Sequence, residues 1–158
     1  MGLDMYLKGV KYFTTCTHEH EAGVGFVSKI NPLYQSIAEH FDIECDDELG
    51  VGEIHMPVMY WRKANQIHKW FVDNTQGGED KNCEPTPVTK EQLQQLLDDV
   101  TFVLEYKDPS VLPTQSGFFF GSTDIDDYYW EDLNNTRSAL EKLLKADKFE
   151  SFIYQSSW

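Results

Sequence analysis

Hydrophobic and polar residues alternate near both ends of the chain with the two-residue period of a β-strand. Residues 3–13 combine aromatic and β-branched side chains with two lysines, and residues 149–154 alternate Phe, Ile and Tyr with polar positions. Both segments are therefore predicted strands. Pairing between them would place the two terminal segments of the chain in one sheet.

Between these strands, four segments carry apolar residues at the three- and four-residue spacing of an amphipathic helix. In the first, Asn31 is a suitable N-cap and Pro32 a suitable first residue of a helix that ends near Phe41. Its apolar face would comprise Leu33, Ile37 and Phe41. The second helix would span residues 57–74 and begin with a proline at its first position.

The third helix is predicted by a capping box at residues 89–92, in which the side chains of Thr89 and Gln92 satisfy each other's unpaired backbone donors. It would continue until Pro109 stops it. The fourth would begin near Asp124, since carboxylates are favourable at the amino end of a helix. Residues 16–25 and 42–52 are polar and contain glycine, so both are predicted loops.

This order of elements predicts an α+β fold, with three or four helices packed on a small, mostly antiparallel sheet that contains both termini. The chain has 158 residues, of which 41% are hydrophobic, enough to form a core. We therefore expect residues 1–158 to form a single globular domain.

The chain carries 27 acidic against 13 basic residues, a formal net charge of −14. This balance argues against direct binding of nucleic acid or anionic membranes, which requires basic patches. An acidic mimic of DNA stays an alternative.

The three cysteines form no CxxC pair, no apolar run is long enough to span a membrane, and no signal peptide is evident. We expect free thiols and a cytoplasmic location.

Residues 60–71, YWRKANQIHKWF, place three cations within twelve positions of this acidic chain. A helical wheel predicts a core face of Tyr60, Ala64, Ile67 and Phe71. The neighbouring stripe could bind a ligand, with Trp61 stacking on a ring, Asn65 and His68 reading its polar edge, and Arg62 or Lys63 binding a phosphate or carboxylate. The alternative is that these side chains pack at the edge of the core or form solvated helix charges.

Residues 112–123, LPTQSGFFFGST, set three consecutive phenylalanines between Gly117 and Gly121. One interpretation is a buried strand or turn whose aromatic rings fill the core. The other is a ligand loop that supplies hydroxyl and amide groups, namely Thr114, Gln115, Ser116, Ser122 and Thr123. Neither glycine arrangement matches a phosphate-binding loop motif.

The sequence patterns that would indicate a metal site or a hydrolytic site are weaker than those of residues 60–71 and 112–123. His18 and His20 lie near Cys16, but no third ligand has a defined position, so neither a metal nor another cofactor is predicted. A hydrolase could use His68 as a base with Asp126 or Asp127 as its partner, although there is no nucleophile elbow and acidic residues at a helix start are first of all caps.

Three blocks of the sequence resemble, in the same order, a family of small uncharacterised proteins of tailed phages and prophages. They are MGLDMYL, YWRKANQIHKWF, and LPTQSGFFFGST followed by DIDDYYWEDL, and Cys83 also fits the pattern, whereas residues 14–50 do not. The resemblance implies a protein in the cytoplasm of an infected bacterium that interferes with host physiology or defence. Sequestration of a nucleotide-derived immune signal would suit such a protein.

The sequence thus favours a non-enzymatic protein, expected to form a homo-oligomer, that binds a small nucleotide-like ligand. Two alternatives remain open. One is a hydrolase for a phosphorylated or nucleotide-like substrate, and the other is an acidic interaction module that inhibits a host protein.

Overall fold

The computed structural model describes residues 2–45 and 50–158. Within these ranges the chain forms four helices, a four-stranded antiparallel sheet and a two-stranded sheet, which confirms the predicted α+β class. The elements in chain order are β1 (Asp4–Thr14), β2 (Cys16–Glu21), β3 (Gly25–Ile30), α1 (Pro32–His40), β4 (Val51–Arg62), α2 (Asn65–Thr75), β5 (Thr86–Val88), α3 (Lys90–Tyr106), α4 (Asp127–Ala146) and β6 (Ser151–Ser157).

The larger sheet has the strand order β4-β1-β6-β5. Strands β1 and β6 pair antiparallel, from Asp4 opposite Ser157 to Val10 opposite Ser151. The prediction that both terminal segments share one sheet is therefore confirmed. Strand β5 pairs with the other edge of β6.

The chain divides into two compact units, Met1–Val10 with His55–Trp158, and Lys11–Ile54. The first unit contains α2, α3 and α4. The second contains α1 and the antiparallel hairpin of β2 and β3. In the part of the chain that the structure describes, no helix is long and apolar enough to cross a membrane.

The core of the first unit lies between one face of the larger sheet and its three helices. Alternate residues of the strands point inward, and the rings of Phe71 on α2 and Tyr154 on β6 stack at 4.0 Å between centroids. The apolar stripes of the helices complete the core. Its buried members include Met5, Leu7, Ile67, Phe71, Leu93, Leu96, Val100, Leu133, Leu140, Phe152 and Tyr154.

Local signals set the starts of three helices, although α4 begins at Asp127 and not near Asp124 as predicted. Asn31 caps α1 by accepting a hydrogen bond from the Leu33 N–H. The Thr89–Gln92 capping box opens α3, with both of its hydrogen bonds present. Asp126 caps α4 by accepting from the Tyr129 N–H at 3.1 Å. The predicted apolar face of α1 is wrong, however, because Leu33 and Phe41 are exposed and Ala38 is the residue that is buried.

The structure corrects the helix predicted for residues 57–74. Residues 57–62 belong to β4, and α2 begins at Asn65. Pro57 is tolerated in this strand because β4 lies at the edge of the sheet, where a missing N–H need not break a ladder bond. Lys63 adopts a left-handed backbone with φ 61° and separates strand from helix. Tyr60 is consequently exposed and does not join the predicted core face.

The predicted loop at residues 16–25 is also wrong, because β2 and β3 form a hairpin there. The polar residues of β2 are exposed on both faces, so no alternation marks this strand in the sequence. Of the loop predicted for residues 42–52, residues 46–49 lie outside the described residues. Strand β4 begins before its end, at Val51.

Candidate functional site

A pocket of about 360 Å³ lies in the first unit beside the amino end of α2. The junction of β4 and α2 supplies its basic residues. The segment that precedes α4 and the first turns of α4 supply its acidic residues. The lining comprises Arg62, Lys63, Asn65, Gln66, Thr114, Gly121, Ser122, Asp124, Asp126, Tyr128, Tyr129 and Asp132.

The amino end of α2 is electropositive. Its N-cap residue is Ala64, which offers no side-chain hydrogen bond, and the N–H groups of Asn65 and Ile67 donate to the backbone carbonyls of Lys63 and Ala64. The helix dipole still leaves a partial positive charge at this end. Lys63 forms no salt bridge with any described residue. Arg62 is largely exposed, and its Nε lies 4.0 Å from the carboxylate of Asp4. Two cations therefore stand next to an uncapped helix end, an arrangement that favours an anion.

Asn65 fastens the loop of residues 112–123 to the first turn of α2. Its Nδ2 donates to the carbonyl oxygens of Phe120 at 3.1 Å and Ser122 at 2.8 Å. Its Oδ1 accepts from the Gln115 N–H at 2.9 Å. Because all of these bonds go to backbone groups of one loop, Asn65 shapes the pocket wall and has little hydrogen-bonding capacity left for a ligand.

Replacing Asn65 with alanine should therefore release this loop. Three backbone groups lose their partners, and we expect the free energy of unfolding to fall by about 2 kcal/mol. Hydrogen exchange measured by mass spectrometry should show faster exchange of the Gln115 amide. Asn65→Asp is the matched control, because it keeps the acceptor for Gln115 and removes only the two donors. Unchanged loop exchange in Asn65→Ala would contradict this account of the anchor.

The glycines of the loop allow its close packing. Gly121 has φ 89°, and a Cβ at this position would lie 3.2 Å from the Cβ of Lys63. A Cβ on Gly117 would lie 2.6 Å from the ring of Phe120. The three phenylalanines have different surroundings, since Phe120 is buried, Phe119 is half-buried and Phe118 is 95% exposed. The segment is thus an anchored loop of turns with one buried ring.

The acidic side of the pocket centres on Asp132 in α4. Its Oδ2 accepts from the Gln66 Nε2 at 3.3 Å. The pKa of the Asp132 carboxyl is raised to about 6, mainly because the group is buried. The hydrogen bond from Gln66 acts to lower this pKa, and the nearby charges of Glu131 and Asp126 act to raise it. Tyr129 donates its hydroxyl to the Leu112 carbonyl at 2.9 Å, and burial raises the pKa of this hydroxyl to about 12. The pocket therefore combines basic and acidic groups.

The structure brings together Arg62, Lys63, Asn65, Thr114 and Ser122 of the predicted ligand-binding set. Trp61 is not in the lining. It lies on β4, is 5% exposed, and donates its Nε1 to the Thr136 hydroxyl at 2.8 Å. Its predicted use as a stacking platform must be corrected, because the ring is enclosed in the core.

His68 is also absent from the pocket lining. It is fully buried, with Nδ1 2.8 Å from the Tyr154 hydroxyl and Nε2 3.0 Å from the Asp80 carboxylate. Burial lowers the pKa of His68, and the hydrogen bond that the ring donates to the Asp80 carboxylate only partly opposes this. A neutral, enclosed imidazole with both nitrogens bonded cannot read a ligand. Its partner is Asp80 and not Asp126 or Asp127, which removes the predicted hydrolytic pair.

The remaining predicted loop residues lie outside the lining. The backbone N–H of Gln115 is bonded to Asn65, and its side-chain Oε1 is buried without a hydrogen-bond partner among the described residues. Ser116 is exposed.

Gln66, Tyr128 and Asp132 line the pocket but were not predicted. Their types and spacing resemble those of ordinary helix residues, and only the tertiary fold brings Gln66 to Asp132.

Comparison of the chain with protein families, with curated proteins and with solved structures finds no match. The resemblance to phage proteins therefore stays a prediction. Within the described ranges, no three His, Cys, Asp or Glu side chains are grouped so that they could hold a metal ion.

Proposed function

We propose that this chain is a small-molecule binding protein whose pocket takes a phosphorylated, nucleotide-like ligand. The observation that carries the proposal is the pairing of Arg62 and Lys63 with the uncapped amino end of α2, inside a defined pocket. Two cations beside the amino end of a helix suit a phosphate group. The pocket volume of about 360 Å³ lies in the range of small-molecule sites.

The remaining lining suits the polar parts of such a ligand. The Thr114 hydroxyl donates to the Thr123 carbonyl and can still accept from a ligand, and the Ser122 hydroxyl accepts from the Asp124 N–H and can still donate. Tyr128 offers an exposed aromatic ring on which a base could stack. Tyr128 takes the role that the sequence suggested for Trp61. These groups fit a molecule that has an anionic part and a polar organic part.

The biological role we propose is sequestration of a nucleotide-derived host immune signal by a phage protein acting in the host cytoplasm as a homo-oligomer. This role rests on the resemblance to phage proteins together with the phosphate contacts proposed for Arg62 and Lys63. Binding without turnover would suffice for it, because a protein that holds a signal tightly removes it from its receptor by mass action.

Hydrolysis is the second candidate, and Asp132 is the observation that favours it. A general base works best when its pKa is near the working pH, and burial raises the pKa of Asp132 to about 6. In this version Asp132 would replace His68 as the base. The substrate would be the same kind of phosphorylated molecule.

The first test is to incubate the purified protein with bacterial extract, wash it, release bound molecules by heat and analyse them by mass spectrometry. We expect an intact phosphorylated small molecule. In parallel, AMP should raise the melting temperature and adenosine should not, because adenosine lacks the phosphate.

Each outcome separates the candidates. Conversion of AMP, or release of a cleaved product, would favour the hydrolase. If neither ligand shifts the melting temperature and nothing is released, the small-molecule proposal fails. Capture of one host protein in that case would favour the acidic interaction module.

A further inference from the structure

Gln66 and Asp132 form a polar pair in the pocket that the proposed phosphate contacts do not use. Gln66 is only 3% exposed although it lines the pocket. Its Nε2 bond to Asp132 Oδ2 is long at 3.3 Å, and its Oε1 accepts no hydrogen bond from the described residues. This oxygen is not among the fully buried atoms that lack a partner, so it is open to the pocket. It can therefore accept a hydrogen bond from a ligand there.

Asp132 has unused capacity as well. Its Oδ2 carries the bond from Gln66, whereas its Oδ1 has no hydrogen-bond partner in the part of the chain that the structure describes. This oxygen is not among the fully buried atoms that lack partners, so it is open to the pocket. Asp132 Oδ1 and Gln66 Oε1 are two unused acceptors in one small region. A ligand group placed there must supply hydrogen-bond donors.

We propose that Asp132 and Gln66 bind the two neighbouring hydroxyl groups of a ribose, so that the ligand is a ribonucleoside phosphate. This inference rests on the proposed function and specifies its substrate class. Each ribose hydroxyl can donate to one of the two acceptors, and each can also accept. A carboxylate that accepts from ribose hydroxyls is the usual device of dinucleotide sites.

An ammonium group is the other donor that an acidic pocket could hold. It satisfies Gln66 less well, because the amide of Gln66 presents N–H donors as well as an acceptor, and an ammonium accepts no hydrogen bond. Two neighbouring hydroxyl groups can accept from the N–H groups of the Gln66 amide and also donate to its Oε1. The Gln66–Asp132 pair therefore favours the diol over the amine.

The test is to titrate the full chain with AMP and with 2′,3′-dideoxy-AMP, which lacks both hydroxyls, using isothermal calorimetry. We expect wild-type protein to bind AMP at least roughly tenfold more tightly, as for loss of hydrogen bonds to a charged group. In Asp132→Asn, AMP affinity should fall until the two ligands bind nearly alike. Glu131→Gln is the matched control, since it removes one carboxylate charge from the exposed neighbour of Asp132 and should keep the preference.

Asp132→Asn should fold, because it removes a carboxylate whose charged form is disfavoured by burial, and its circular dichroism and melting temperature verify this. Equal binding of both ligands by wild-type protein, or a preference that survives in Asp132→Asn, would overturn the ribose assignment and leave the phosphate proposal standing. Tighter binding of phosphoethanolamine than of ribose 5-phosphate would assign the acidic side to an ammonium. If neither AMP nor its dideoxy analogue binds, both proposals fall.

Discussion

Replacing His68 with leucine is expected to lower the free energy of unfolding by about 3 kcal/mol. The imidazole is fully buried and bridges the Tyr154 hydroxyl and the Asp80 carboxylate. Leucine has a similar volume but bonds to neither group. The Tyr154 hydroxyl would then be buried without this partner, while Asp80 keeps the bond from the Trp158 Nε1 at 3.1 Å. An unpaired buried polar group costs its desolvation free energy in full.

Urea denaturation of three variants can measure this effect. In Tyr154→Phe the orphaned hydroxyl is absent, so the double variant His68→Leu with Tyr154→Phe should be destabilised by less than the sum of the single variants. Additive losses would show that the His68–Tyr154 hydrogen bond does not couple the two residues. In that case the loss would have to be assigned to packing.

The buried imidazole also predicts an acid dependence. Burial lowers the pKa of His68 in the folded state, so the unfolded chain binds its proton first as the pH falls below the ordinary value of 6.5. The contribution of this residue to stability is therefore complete above that pH and declines below it. His68→Leu should lack this part of the acid sensitivity.

Replacing Lys63 with glycine is expected to weaken AMP binding by roughly 10- to 100-fold, because a charge-assisted contact to phosphate is lost. Stability should change by less than about 1 kcal/mol, because glycine relieves the cost of a left-handed backbone while losing the packing of the lysine stem. Lys63 has φ 61° and packs its stem beside Gly121.

Lys107 provides the matched control for this experiment. It also has a left-handed backbone, with φ 56°, but it ends α3 and places its ammonium 4.5 Å from the centroid of the Trp130 ring. Lys107→Gly should leave AMP binding unchanged. Calorimetric titration and urea denaturation of both variants give the comparison. A Lys63→Gly protein that binds AMP like wild type would remove Lys63 from the phosphate site.

Local sequence signals predicted the elements whose causes are themselves local. The cap at Asn31, the Thr89–Gln92 box and the cap at Asp126 each act within one helical turn, so the bonds they form do not depend on the rest of the fold. The terminal strands were recognisable because their alternation matches a sheet with one buried face.

The break between β4 and α2 could not be predicted in this way. Ile67 and Phe71 do lie on a buried face of α2, Ala64 is buried at its N-cap, and Tyr60 extends their spacing by chance. The preceding residues become a strand because they pair with β1 at the edge of the sheet, which is a contact distant in sequence. Tertiary pairing overrides a helical pattern in such a segment.

By itself the sequence determined the α+β class, the helix caps, the pairing of the terminal segments and the concentration of cations at Arg62 and Lys63. Only the tertiary structure decided which neighbours of those cations reach a pocket. It enclosed Trp61 and His68 in the core and brought Gln66 on α2 to Asp132 on α4. The reason is physical: caps and periodicity depend on residues within a turn or two, whereas burial and pocket lining depend on how separate elements pack.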